Sequence, residues 1–293
     1  MGTRTGNFPI GFRRGWSEWQ KKDLKALAQW AKSVGFERID LGRATKEDIG
    51  VLKAAGLNIG TADLVDFGNI MHNDAGKRKE IIAQNVAYVK EAGAAGAKVF
   101  FTCIIPGDGN KARAENYKLA VESYSPIAEA ADSVGSKIAI EGWPGGGNLP
   151  NLACNPETYR SIIKDIKTKS IGVNYDPSHL IRMGIDHVRF VKEFAERIWH
   201  VHGKDTEVLT ENIYEYGLYQ SSAFAKGHGF GEWAWRYTIP GHGCTRWIEV
   251  FRTLKEADFN GAVCVELEDE NFNTNEDGEK AGLTHSLNFL KSC

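Results

Sequence analysis

Short apolar runs alternate with longer amphipathic ones, and the alternation persists along the whole chain. "FPIGF" (8–12) precedes "DLKALAQWAKSVG" (23–35), in which Leu24, Leu27, Ala28 and Ala31 recur at helical spacing and Gly35 supplies a C-terminal stop. "ERIDLG" leads to "TKEDIGVLKAAG", where Thr45 with Asp48 three residues on resembles a capping box. "LNIGTADL" is followed by the helical pattern "KRKEIIAQNVAYVKEAG". "AKVFFTCII" is followed by "AENYKLAVESYSPIAEAADSVG", whose Pro126 is expected to kink or divide the helix. The second half repeats this grammar. "SKIAIEG" precedes "NPETYRSIIKDIK", with Asn155-Pro156 as cap and first turn, and "IGVNYD" precedes "IDHVRFVKEFAER". "RIWHVHGKD" and "GAVCVELED" complete the set, each with a helix after it.

Eight strand-then-helix units imply parallel strands joined by right-handed crossovers. In a chain of 293 residues they predict a closed (β/α)8 TIM barrel forming one domain over residues 1–293, rather than an open doubly wound sheet. No G-x-G-x-x-G follows the first strand, which argues against dinucleotide binding. The one irregularity is a long loop after strand seven, residues 206–243, of a length usually reserved for lids and binding loops.

Composition narrows the class. With 42% hydrophobic residues the chain can build a large core, and 36 basic against 38 acidic residues argue against a general nucleic-acid binder. Five dispersed cysteines, odd in number and without a C-x-x-C pair, fit reduced thiols better than a disulfide framework. No apolar leader or membrane-length run is visible, so a cytoplasmic protein without membrane or nucleic-acid partners is expected.

In a TIM barrel the chemistry sits at the C-terminal strand ends. There, strand five ends at Glu141, strand six at Asp176 with His179 beyond it, strand seven at His202, Lys204 and Asp205, and strand eight at Glu266 and Glu268. Side chains alternate along a strand, so Glu141 shares its face with Ala139, Asp176 with Asn174 and Gly172, and Glu266 with Cys264 and Ala262. Three carboxylates facing one cavity repel, and burying them unpartnered is prohibitive. A divalent cation resolves the conflict. Glu141, Asp176, His202 and Glu266 form a hard, oxygen-rich set that favours Mn²⁺ first, then Mg²⁺, with Co²⁺ or Zn²⁺ as alternatives. Taken singly, Glu268 and Asp269 read as solvated loop residues or helix caps, and His200, one layer deeper in its strand, as a core or supporting histidine.

These same segments, "AIEGWPG", "VNYDPSHLIRMGID", "IWHVHGKDTE" and "GAVCVELEDE", resemble the sugar phosphate isomerase/epimerase superfamily. These are xylose isomerase-like TIM barrels that include tagatose 3-epimerase, inosose dehydratase and endonuclease IV. The resemblance implies metal ligands Glu141, Asp176, His202 and Glu266, with His179 touching substrate. "GEWAWRYTIPGHG" resembles a branch related to subunits that eliminate aglycones from 3-keto-glycosides.

The expected reaction is proton abstraction next to a sugar carbonyl through a metal-stabilised enediolate, with Glu141 or Glu266 as base. His179, Lys204, Arg236, Trp16 and Trp143 are expected to bind substrate, and the Trp233/Trp235 pair offers further apolar faces to a sugar ring. Elimination of water or an aglycone from a keto-sugar or 3-keto-glycoside is the alternative outcome. A non-catalytic sugar-binding module ranks third. A homo-oligomer and a partner subunit are both left open.

Overall fold

Eight parallel strands close into a barrel in the computed structural model, which describes residues 7–145, 151–219 and 221–293. The strands are β1 (Ile10–Arg13), β2 (Arg38–Leu41), β3 (Asn58–Asp63), β4 (Val99–Thr102), β5 (Lys137–Glu141), β6 (Ile171–Tyr175), β7 (Ile198–Gly203) and, after an inserted pair, β10 (Val263–Val265). Their order around the barrel is β1-β10-β7-β6-β5-β4-β3-β2, with β1 hydrogen-bonded to both β10 and β2. All eight barrel strands thus fall where the apolar runs place them.

The helices begin and end where local chemistry directs. Thr45 and Asp48 form a reciprocal capping box on Lys46–Ala54, and Asn155 with Thr158 does the same for Pro156–Asp165. Gly35 closes the helix Leu24–Val34 at φ 100°, a conformation that favours glycine. Pro126 does not divide its helix, which runs unbroken over Arg113–Ser133. One backbone hydrogen bond is lost, but Tyr124, Ile127, Ala128 and Ala131 on the same helix are buried in the core. Burial of a large apolar side chain is worth about 1.5–3 kcal/mol, enough to hold the helix together across the missing bond.

The long segment after β7 carries structure of its own. Strands β8 (Asp205–Val208) and β9 (Trp235–Thr238) pair antiparallel, with a short helix Thr210–Tyr216 between them. Asp205 anchors this hairpin. Its buried carboxylate accepts from the amides of Thr206, Gly241 and Thr245, from Thr245 Oγ1 and from Trp247 Nε1. The hairpin is therefore pinned at both ends to the barrel's C-terminal face.

Candidate metal and catalytic centre

Four successive strands deliver the central groups. Glu141 closes β5, Asp176 follows β6, His202 lies in β7 opposite Cys264, and Glu266 follows β10. One donor atom from each of the four lies within 4.8 Å of all the others. His202 Nδ1 is 2.5 Å from Glu141 Oε2 and 3.4 Å from Glu266 Oε2. Asp176 caps the helix Pro177–Arg182, its Oδ1 accepting from the Ser178 amide and hydroxyl, while its Oδ2 keeps no hydrogen-bond partner. The turn that this cap creates brings His179 Nε2 to 3.3 Å from Asp176 Oδ2 and 3.5 Å from Glu141 Oε1.

Charge within the cluster is heavily interdependent. Burial and Glu266 push the Glu141 carboxyl up, but His202 and His179 outweigh them and hold it below the usual carboxylate range. Burial likewise opposes ionisation of Glu266, and Lys204, His202 and Arg13 reverse the balance. The same contacts act on His202 in mirror image: burial disfavours its charge, while Glu266 and Glu141 raise its pKa well above the ordinary imidazole value.

Behind the centre stands Asp40 of β2. Its Oδ1 accepts from the Thr61 amide at 2.8 Å, and its Oδ2 accepts from His200 Nε2 at 2.9 Å and lies 3.6 Å from His202 Nε2. Burial works against the Asp40 charge, and the two imidazoles overcome it and depress its pKa. His200 is thus a supporting residue that fixes the carboxylate facing His202. On another side, Asn174 donates to Glu141 Oε2 at 2.7 Å.

The surrounding residues sort differently from the strand-end reading. Glu141, His179, Lys204, Glu266, Trp16 and Trp143 line one cavity of about 260 Å³ over the cluster. Trp16 and Trp143 are 71% and 37% exposed and stand at its mouth. Lys204, expected to bind substrate, is only 1% exposed. Its ammonium lies 2.5 Å from Glu266, 2.9 Å from Glu268 and 3.3 Å from Asp176, because the inward face of β7 continues to position 204. Arg236 is not brought to this cavity. Alternation along β9 turns it away from the side of Tyr237, and Glu207, its cross-strand partner, holds it with Glu270. Trp235 lies under the Arg182 guanidinium at 4.6 Å, and Trp233 Nε1 donates to the Gly217 carbonyl within the insertion.

Two expectations of solvated carboxylates are corrected. Glu268 is a partner of Lys204, and Asp269 is fully buried, accepting from Thr238 Oγ1 and the Ile239 amide. Asp269 thereby clamps the far strand of the hairpin, a contact set by tertiary packing and invisible along the chain.

Three further residues belong to the site. Arg13, at the end of β1, forms two bonds to Asp63, at the end of β3, and lies 3.4 Å from Glu266. Both are the last residues of barrel strands, so the strand-end criterion identifies them as readily as Glu141. Tyr237 comes from the insertion: its hydroxyl is 2.7 Å from His179 Nδ1, and the Lys204 ammonium sits 4.5 Å over its ring. No signal in the sequence separates Tyr237 from its aromatic neighbours.

The donor set fits a divalent cation. Asp176 Oδ2 and His202 Nδ1 are buried without hydrogen-bond partners, and they converge with Glu141 and Glu266 in the oxygen-rich mixture that hard cations prefer.

Comparison with known proteins agrees with this architecture. A sequence model described as "Xylose isomerase-like TIM barrel" matches residues 17–293, and the chain belongs to that family. An inosose dehydratase of Clostridium beijerinckii is 24% identical over 287 residues, covering 91% of this chain and 90% of that protein. An uncharacterized protein of Bacillus subtilis, YfiH, is 29% identical over 176 residues, and the match spans about half of each chain (59% of this one and 52% of YfiH). Among solved structures, the 3-keto-D-glucoside 4-epimerase YcjR of E. coli superposes with a TM-score of 0.71 at 16% identity, covering 98% of this chain and 100% of its own. A D-psicose 3-epimerase crystallised with D-fructose gives a TM-score of 0.70 at 15% identity over 96% of this chain and 97% of its own. Among the described residues, no helix is long and apolar enough to cross a membrane.

Proposed function

We propose that this protein is a divalent-metal-dependent keto-sugar isomerase or epimerase. The observation that carries the reading is the pair Glu141 and Glu266, one buried and one partly exposed carboxylate that both approach His202 Nδ1 in a cavity open to small molecules. Glu141, Asp176, His202 and Glu266 would hold the ion, Mn²⁺ being the first choice. When bound, it supplies positive charge that stabilises the anion developing as a carbon next to a carbonyl is deprotonated.

The chain's own groups do the rest. One glutamate takes the proton from the carbon beside the carbonyl, and a carboxyl on the same or the opposite side returns one, to the neighbouring carbon or to the other face. His179 and Lys204 hydrogen-bond substrate oxygens, and the exposed indoles of Trp16 and Trp143 cover the sugar. Elimination is the second reading, favoured by the inosose dehydratase similarity over nearly the whole chain. It uses the same abstraction, with loss of a group β to the abstracted proton.

The test is incubation with Mn²⁺ in D₂O and a panel of ketoses, inososes and 3-keto-glycosides. Deuterium on the carbon beside the carbonyl with all substituents kept supports isomerisation or epimerisation, and released water or aglycone supports elimination. Saturable sugar binding without turnover of any panel member would overturn both in favour of a binding module. Full activity after chelation would remove the metal from the scheme.

A further inference from the structure

The barrel has a second mouth, at the strand starts, and its lining is unlike the first. A cavity of about 620 Å³ there is bordered by Arg38, Lys53, Lys98 and Lys137, with Trp199 and His200 among the other lining residues. Among the described residues, no carboxylate lines it. The arrangement follows from the sequence. Arg38 and Lys137 open β2 and β5 on the inward parity, sharing their faces with Asp40 and Glu141, and Lys98 directly precedes β4. Lys53 reaches in from the last turn of its helix, and a Cβ on Gly96 would lie 3.4 Å from its ammonium.

Among the described residues, these cations lack the carboxylate partners that neutralise inward-facing charge at the opposite mouth. Arg38 Nε is buried with no hydrogen-bond partner, and its Nη1 has only a long contact of 3.4 Å to the Ile59 carbonyl. Lys137 lies 4.6 Å from the Trp199 ring centroid and 3.3 Å from the Lys169 carbonyl, with no ion pair among the described residues. At the opposite mouth, by contrast, Arg13 and Lys204 are each matched by carboxylates. Four like charges around one concavity repel, and the buried, unpartnered Arg38 Nε beside three lysines favours an acceptor with several oxygens.

We propose that the strand-start mouth binds a phosphate-type dianion, free or as the phosphomonoester of a small metabolite, held by Arg38, Lys53, Lys98 and Lys137. The Trp199 indole beside Lys137 is a built-in reporter.

The measurement is equilibrium binding to the full chain with chelator present and ionic strength fixed by chloride. Inorganic phosphate, pyrophosphate and glycerol phosphate are titrated separately by calorimetry and by tryptophan fluorescence. Saturable binding is expected, weakened at least about tenfold in Lys53→Gln/Lys98→Gln, whose side chains are exposed and whose thermal stability should be unchanged, and likewise in Arg38→Gln. The fluorescence change should vanish in Trp199→Phe while binding persists. Glycerol phosphate binding as tightly as phosphate identifies a metabolite ester as the ligand, and preference for phosphate alone identifies the free ion. No saturation up to roughly 10 mM, or equal affinity in the lysine double variant, would overturn the proposal. Because no turnover is measured, the result stands apart from that of the isomerase reading.

Discussion

The Tyr237 hydroxyl meets His179 Nδ1 at 2.7 Å across 58 positions of sequence, and this contact fixes which nitrogen of the imidazole faces the carboxylates. Nε2 is left pointing between Asp176 and Glu141. Tyr237→Phe should therefore lower kcat/KM by roughly tenfold, the usual worth of one orienting hydrogen bond, without changing metal affinity. Steady-state kinetics beside calorimetric metal titration separate the two. Unchanged kinetics would detach His179 orientation from catalysis.

The two glutamates should behave alike in charge and differently in chemistry. Glu141→Gln and Glu266→Gln each remove a carboxylate while keeping shape, and a lost acid–base group costs about 10²–10⁴ in rate. Both variants should fold, as read by circular dichroism. Deuterium exchange into substrate should persist in the variant whose glutamate is not the first base, and exchange lost equally in both would show that neither step proceeds alone.

Asp205 is a structural prediction of another kind. Five donors converge on its buried carboxylate, and Asp205→Ala leaves them without an acceptor. A loss of about 3 kcal/mol or more is expected by urea denaturation, since each buried donor left unmade costs about 1–3 kcal/mol. Limited proteolysis should then cut within 206–243 before the barrel opens. Native-like resistance would mean that the hairpin is held by other contacts.

His187 sets a pH dependence of stability. Burial, assisted by Arg246, lowers its pKa from the ordinary value of 6.5, and its Nε2 accepts from the Arg246 amide at 3.1 Å. The folded state therefore binds this proton less readily than the unfolded chain. Its contribution is complete above 6.5 and declines as pH falls below that value towards the depressed folded pKa. Melting temperature should drop on acidification through this window, and by less in His187→Gln. An identical drop in the variant would assign the effect to other groups.

Strand positions and the four-residue cluster were legible because each depends on local pattern. Apolar runs mark the barrel strands, and a polar residue at the end of such a run has one place to go. Arg13 and Asp63 satisfy the same criterion on β1 and β3. The depth of Lys204 and the burial of Asp269 were not legible, because both depend on which distant groups arrive beside them: Glu266 and Glu268 in one case, Thr238 in the other. Arg236 shows the same limit from the other direction. It lies in the right segment, yet a hairpin register pairing it with Glu207 turned it outward. Pro126 does not divide its helix, because packing of the surrounding helical residues overrides the propensity penalty that the sequence alone shows.

The hairpin β8–β9 is a separate sheet hung between two barrel strands, and it alone supplies Tyr237 to a cluster otherwise built from the barrel's C-terminal face. The carboxylate–imidazole set and the tyrosine that meets His179 are therefore carried on different pieces of chain. A lineage can rewrite the insertion, in length or in aromatic content, without breaking any ladder of the barrel. Such a change would alter what meets His179 while leaving the four-residue cluster on its own strands.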